Sequence, residues 1–210
     1  MSTDMNPIYF VSYHIVRGVV RGLFDLKIIN REKLIEDGPC VYVCNHQSFL
    51  DPPVIGQIFD RSVNFLARKT LFTNGFMHWL LPKCHALPID QQRPDPASIM
   101  KVLRVVRNGE AIVIFPEGAR SPDGKIHEAM PGIGLIISRL ASVPVQPLRI
   151  EGAYDCLPIH SKRLRLRPIT VSVGDPIEFT PQELKARTRD EQRAIGRKVM
   201  AAIAALPTRG

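Results

Sequence analysis

Short apolar runs alternate with amphipathic helical stretches along almost the whole chain, and this alternation is what most narrows the folds open to it. "CVYVCN" (40–45) and "AIVIF" (111–115) carry no charge, as strands buried on both faces of a sheet do. "LKIIN" (26–30), "SVNFLA" (62–67), "ALPI" (86–89), "VPVQPLRI" (143–150) and "RPITVSVG" (167–174) read as further strands. Helical patterns fall between them: from Pro52 to about Phe59, over 70–80, 95–110 and 132–141, and from Thr180 to about Ala205. The prolines at 52–53 suit a first helical turn, and Thr180 with Glu183 three residues on forms a capping box. No repeat or low-complexity linker divides the 210 residues. The expectation is one α/β domain over 26–210, a mixed, mostly parallel sheet flanked by helices.

Ahead of that domain, residues 1–25 predict an amphipathic helix. His14, Arg17, Gly18 and Arg21 share one stripe, and Tyr9, Phe10, Val16, Val20, Leu23 and Phe24 spread over the rest. A basic stripe beside a broad apolar face is the pattern of a helix lying in a membrane interface, although a helix packed on its own domain reads similarly. The first basic residue comes after the apolar stretch has begun and no small-residue cleavage site follows, so a signal peptide is not expected. No run approaches the roughly twenty apolar residues of a membrane crossing. The expectation is a peripheral protein at the cytoplasmic face of a membrane.

Lysine and arginine outnumber aspartate and glutamate by 28 to 20, and residues 161–210 alone hold eleven against five. Such a surface suits an anionic partner, anionic lipid included. Nucleic acid is not expected, since neither an aromatic-rich basic ribbon nor a helix-turn-helix pattern is present. Cys40, Cys44, Cys84 and Cys156 form no C-x-x-C pair, and His78, His85, His127 and His160 lack ligand spacing. No metal site is expected, and free thiols point to a reducing compartment.

Chemistry concentrates in two loops. In "NHQSFLD" (45–51), His46 and Asp51 stand five residues apart, about 140° around a straight helix, so they meet only if a loop folds them together. Asp51 precedes a proline, which places it at the mouth of the next helix and His46 in the loop behind. A carboxylate on one ring nitrogen fixes the tautomer and frees the other as a general base. The second loop, "FPEGARS" (115–121), follows "AIVIF", where α/β folds open their ligand crevice. It packs Glu117, Gly118, Arg120 and Ser121 together. Glycine allows close backbone approach, and arginine offers a donor fork matched to phosphate. A G-x-S-x-G elbow is lacking, which argues against a serine hydrolase.

The two loops, in this order and at this separation, resemble the N-H-x-x-x-x-D and F-P-E-G-T-R-S blocks of the glycerolipid acyltransferases, specifically the 1-acyl-sn-glycerol-3-phosphate acyltransferases. Ala119 stands at the usual threonine. "HALPIDQ" (85–91) aligns with a third block and "VPVQP" (143–147) with a fourth, so the resemblance covers roughly residues 8–180. It implies a glycerol-3-phosphate acyltransferase-like fold and transfer of a fatty acyl group from a thioester, acyl-CoA or acyl-carrier protein, to a lysophospholipid hydroxyl. His46 is then the base and Asp51 its orienting carboxylate. Glu117, Gly118 and Arg120 form the acceptor site. The thioester is a co-substrate, and no cofactor is implied. Three further positions depart from the family pattern: His85 replaces a glycine, Gln91 an arginine and Met130 a lysine. Arg93, two residues past Gln91, is expected to stand in for the lost arginine, with lysophosphatidate as acceptor. A different lysophospholipid or an amino-lipid is the alternative acceptor, and a non-enzymatic basic membrane protein a remoter one. Acyl chain length, donor carrier and oligomeric state are left open.

Overall fold

The apolar runs do become strands, and the helical patterns lie between them. The computed structural model describes residues 6–89, 96–140 and 143–208. Among these, seven strands form one sheet: β1 (Leu26–Ile29), β2 (Cys40–Cys44), β3 (Asn64–Arg68), β4 (Ala86–Ile89), β5 (Ala111–Ile114), β6 (Val145–Glu151) and β7 (Ile169–Val173). Their order is β1-β7-β6-β2-β5-β3-β4, and each neighbouring pair is parallel except β6–β7. The helices are α1 (Pro7–Leu23), α2 (Asp51–Gly56), α3 (Gly75–Lys83), α4 (Pro96–Arg107), α5 (Gly132–Arg139), α6 (Ala153–Cys156) and α7 (Arg189–Ala204).

Period-two alternation divides the interior into two cores. Cys40, Tyr42 and Cys44 of β2 face α1 and α2, where they meet Val20, Ile55 and Phe59. Val41 and Val43 face the opposite way, toward Val102 and Val106 of α4, Ile137 of α5 and Val199 of α7. Helices α5 and α7 cross so closely that a Cβ on Gly134 would lie 2.1 Å from the backbone oxygen of Gln192. Only hydrogen fits there. The buried thiols behave as small hydrophobes, and burial pushes the Cys40 thiol up to about 12.

The sheet is not continuous along its length. β3 pairs with β5 through two positions, Asn64↔Ile112 and Phe65↔Val113, and from Leu66 onward pairs with β4 alone. The two strands then part. A fork opens toward the carboxyl ends of the parallel strands.

Two expected helices have different starts. The pattern over 70–80 divides into a 3₁₀ turn, Lys69–Phe72, and α3, because the Asn74 side chain accepts from Phe76 N–H and opens a new helix there. The last helix starts at Arg189, not at Thr180. Thr180 and Glu183 do form their reciprocal bonds, but that box feeds only the 3₁₀ turn Glu183–Lys185. A second box, Thr188 with Glu191, caps α7.

The N-terminal helix α1 is docked and also displays apolar surface. Tyr13 OH donates to the Phe59 carbonyl at 2.9 Å, Tyr9 OH accepts from Val63 N–H at 3.2 Å, and Val20 packs in the core. The outer side carries Val11, Ile15, Val19 and Leu23 at four-residue spacing, each more than two-fifths exposed. Exposed His14 and Arg21 flank that stripe. Among the described residues, no helix is long and apolar enough to cross a membrane.

Candidate active site

β2 ends at Cys44, and the next residue fixes the direction of the loop. Buried Asn45 accepts from Ile150 N–H at 2.8 Å and donates to Ile150 C=O at 2.9 Å, which ties the end of β2 to β6. The loop then folds back so that His46 and Asp51 meet. His46 Nδ1 lies 2.7 Å from Asp51 Oδ2, and the same oxygen accepts from Gln47 N–H at 2.5 Å and Ser48 N–H at 2.7 Å. The carboxylate thus closes the loop behind it and makes no capping bond to α2 ahead. Asp51 is fully buried, and burial pushes its carboxyl above the ordinary range against the pull of His46 and the two amides. Its Oδ1 is buried with no partner among the described residues.

The FPEGARS loop grips the same histidine. The Phe115 ring stacks on the imidazole at 4.2 Å between centroids, and Ser121 N–H donates to the His46 carbonyl at 2.7 Å. Glu117 Oε1 accepts from His46 N–H at 3.0 Å. Glu117 is buried, which raises its carboxyl, and it does not line the adjoining cavity. Gly118 and Arg120 do line it. Gly118 adopts φ +70°, and an added Cβ would come within 2.7 Å of Met130 Cγ, so glycine answers both to backbone conformation and to space. The Arg120 guanidinium lies over the exposed Phe49 ring, 3.6 Å from its centroid.

The cavity measures about 830 Å³ and occupies the fork between β3 and β5. His46, Phe115 and Arg120 mark its chemical end, and Leu66, Ile99 and Ile136 are among its apolar lining. Arg68, at the end of β3 and outside both signature motifs, also lines it. Burial, and after it the Arg68 charge, pulls the Arg120 guanidinium below its usual value, so the two cations share one environment. The basic pair in "ARKT" after a predicted strand was the only sequence signal for it. Met130, in the place of the family lysine, lines the cavity against Gly118. His85, in the place of the family glycine, has φ +57°, a conformation glycine adopts freely; its ring stands 4.8 Å from that of Tyr9. Gln91 and Arg93 lie outside the described residues. Among those described, no cluster of three or more metal-ligating side chains occurs.

A carboxylate-bonded imidazole thus stands at the carboxyl end of a parallel strand, beside an apolar cavity with two guanidinium groups, in an α/β enzyme. The acyltransferase family model matches residues 25–151, and the chain belongs to that family. It is 27% identical to the 1-acyl-sn-glycerol-3-phosphate acyltransferase of Bacillus subtilis over 180 residues, covering 83% of this chain and 86% of that protein. It is 32% identical over 153 residues to the chloroplastic 1-acyl-sn-glycerol-3-phosphate acyltransferase BAT2 of Brassica napus, covering 70% of this chain but only 43% of that one. Its fold is similar to the crystal structure of the 1-acyl-sn-glycerophosphate (LPA) acyltransferase PlsC from Thermotoga maritima. The TM-score is 0.70 over 96% of this chain and 82% of that one, at 22% identity.

Proposed function

We propose that this acyltransferase moves a fatty acyl group from a thioester, acyl-CoA or acyl-carrier protein, to the free hydroxyl of 1-acyl-sn-glycerol-3-phosphate, making phosphatidic acid. The observation that carries the reading is the 2.7 Å bond between His46 Nδ1 and buried Asp51 at the mouth of the cavity. With Nδ1 committed, Nε2 takes the proton from the acceptor hydroxyl as its oxygen attacks the thioester carbonyl. Collapse forms the C–O ester bond and breaks the C–S bond, and the imidazolium returns the proton to the departing thiolate. The negative charge of Asp51 supports the imidazolium between the two steps. No covalent enzyme intermediate is required, because the thioester is already activated.

A phosphate monoester carries nearly two negative charges at neutral pH and favours more than one charged donor. Arg120 and Arg68 supply two such donors beside the base, and Arg93, outside the described residues, is the third arginine proposed for the acceptor. Glu117 supports this site through the His46 backbone, and Gly118 lets the chain pass close to the acceptor. The apolar cavity receives an acyl chain. The outer apolar stripe of α1, with His14 and Arg21 beside it, holds the enzyme peripherally on the cytoplasmic face.

Met130 supports a second reading, in which the acceptor has a less anionic head group, since a thioether replaces an ammonium where it faces Gly118. The deciding experiment offers purified enzyme a panel of labelled lysophospholipids with each donor and identifies products by mass. Phosphatidic acid as the main product supports the first reading, and preferential acylation of another lysolipid supports the second. Absence of transfer to every acceptor removes both.

A further inference from the structure

Between α6 and β7 the chain runs through "HSKRLRLR" (160–167) outside any helix or strand. Every residue from Lys162 to Arg167 is exposed, including Leu164 at 48% and Leu166 at 57%. The segment is anchored nonetheless. Arg165 N–H donates to the Cys156 carbonyl at 2.8 Å, Ser161 N–H to the Pro158 carbonyl at 3.0 Å, and Arg163 N–H to Ser161 Oγ at 3.0 Å. Lys162, Arg163, Arg165 and Arg167 form no ion pair with any described residue. The segment therefore concentrates four positive charges, with two exposed leucines set between them, on one short stretch of surface.

The position of the segment says what faces that surface. Three residues before it, Leu157 meets the His46 loop, where Ser48 Oγ donates to the Leu157 carbonyl at 2.8 Å. The segment's far end meets the end of α1: Ile169 N–H donates to the Asp25 carbonyl at 3.1 Å, and Leu26 is in register with Ile169. The segment therefore lies between the mouth of the site and the helix that bears the exposed stripe ending at Leu23. An alternation of arginine and leucine satisfies both layers of a lipid interface, with guanidinium groups at phosphates and leucines at the upper acyl region. An acidic protein would meet the charges but would not explain the continuity with an apolar helix face.

We infer that Lys162–Arg167 is a second lipid-contacting element, which docks on an anionic bilayer alongside α1 and turns the mouth of the site toward the layer. The inference rests on the peripheral-membrane reading of α1, and the test separates the two. Full-length enzyme is sedimented with vesicles of phosphatidylcholine alone and of phosphatidylcholine mixed with phosphatidylglycerol. Arg163→Gln/Arg165→Gln is expected to lower partitioning onto the mixed vesicles about five-fold per charge removed, equivalent to about 1 kcal/mol for each basic group. Its partitioning onto phosphatidylcholine should be unchanged. Leu164→Ser/Leu166→Ser should lose binding to both. Leu164→Trp in a Trp79→Phe background should be quenched by brominated phosphatidylglycerol.

If the unsubstituted enzyme does not sediment, the membrane reading itself fails. If it sediments and the loop variants sediment equally, with no quenching at position 164, the loop inference alone is overturned. An unchanged partition with a raised KM for acyl-carrier-protein donor would assign the segment to an acidic protein and likewise overturn it. These substitutions touch no core residue, and circular dichroism verifies the fold of each variant.

Discussion

His46 and Glu117 are joined through the histidine backbone: His46 N–H donates to Glu117 Oε1 at 3.0 Å, leaving the imidazole free to bond Asp51 on its own side. The two signature loops are thus locked together at His46, the residue proposed to carry the reaction. Glu117 acts on where His46 stands, whereas Arg120, over Phe49 at the cavity mouth, faces what enters.

That division separates two kinetic signatures. Glu117→Ala is expected to lower kcat with little change in acceptor KM, because the lost group positions the base. Arg120→Ala is expected to raise acceptor KM or lower kcat/KM at least about ten-fold, equivalent to about 1.4 kcal/mol. Steady-state kinetics at saturating donor measures both. A pure KM effect in Glu117→Ala would return that residue to the acceptor site.

His46→Ala should reduce transfer by at least the roughly 10²–10⁴-fold that a general base contributes, while circular dichroism stays native. Asp51→Asn should also be strongly impaired. It can still meet the Gln47 and Ser48 amides, but it supplies no charge to an imidazolium. Substantial turnover by folded His46→Ala would end the mechanism.

The pH response of the site and that of the fold should diverge. Burial raises the Asp51 and Glu117 carboxyls, so the folded state holds those protons more tightly than the unfolded chain. Their contribution to stability is full below the ordinary carboxylate range and is lost as pH rises through the raised folded values. Asp123 behaves oppositely: the bond from His127 holds it at about 2, so its contribution persists above the ordinary aspartate range and is lost as pH falls through that value. The proposed mechanism needs Asp51 ionised. Acidification from neutrality should therefore abolish kcat/KM before ellipticity falls. Simultaneous loss of both would contradict the assignment.

The proposed recognition of an acceptor phosphate can be apportioned among three arginines. Arg68→Ala and Arg93→Ala should each raise KM for lysophosphatidate about ten-fold or more while leaving donor KM nearly unchanged. If Arg93→Ala is silent while Gln91→Arg improves use of lysophosphatidate, a less anionic acceptor is indicated. Arg68→Ala serves as the internal comparison, since that side chain lines the cavity.

The proposed membrane binding through α1 is best tested on its outer stripe. Deleting residues 1–24 would also remove Tyr9, Tyr13 and Val20 from the core and confound the result. Ile15→Ser/Val19→Ser leaves the docked side intact, and it should reduce vesicle sedimentation with little change in Tm. Unchanged sedimentation would place the contact elsewhere.

What the sequence disclosed followed from local chemistry. Unbroken apolar runs marked β2 and β5, and the His46–Asp51 spacing implied the loop that the structure contains. The last helix was misplaced because "TPQEL" and "TRDEQ" are both well-formed capping boxes, and local pattern cannot say which one leads into a buried face. Asn45, Glu117 and Arg68 draw their roles from residues far along the chain, and no spacing reveals such partners. The parting of β3 from β5 was invisible for the same reason, since strand patterns mark which residues extend but not how far neighbours remain paired.

That parting has a consequence for how the enzyme can vary. In a close-packed interior, each methylene removed leaves a void that the fold must bear. Leu66 and Ile99 already border empty space, so trimming or enlarging them alters the room for a hydrocarbon tail at little cost to folding. His46 and Asp51 are anchored at the end of β2, away from that margin. On the proposed reading, descendants of such a scaffold can drift in the length of tail they accept while the reacting atoms stay where they are.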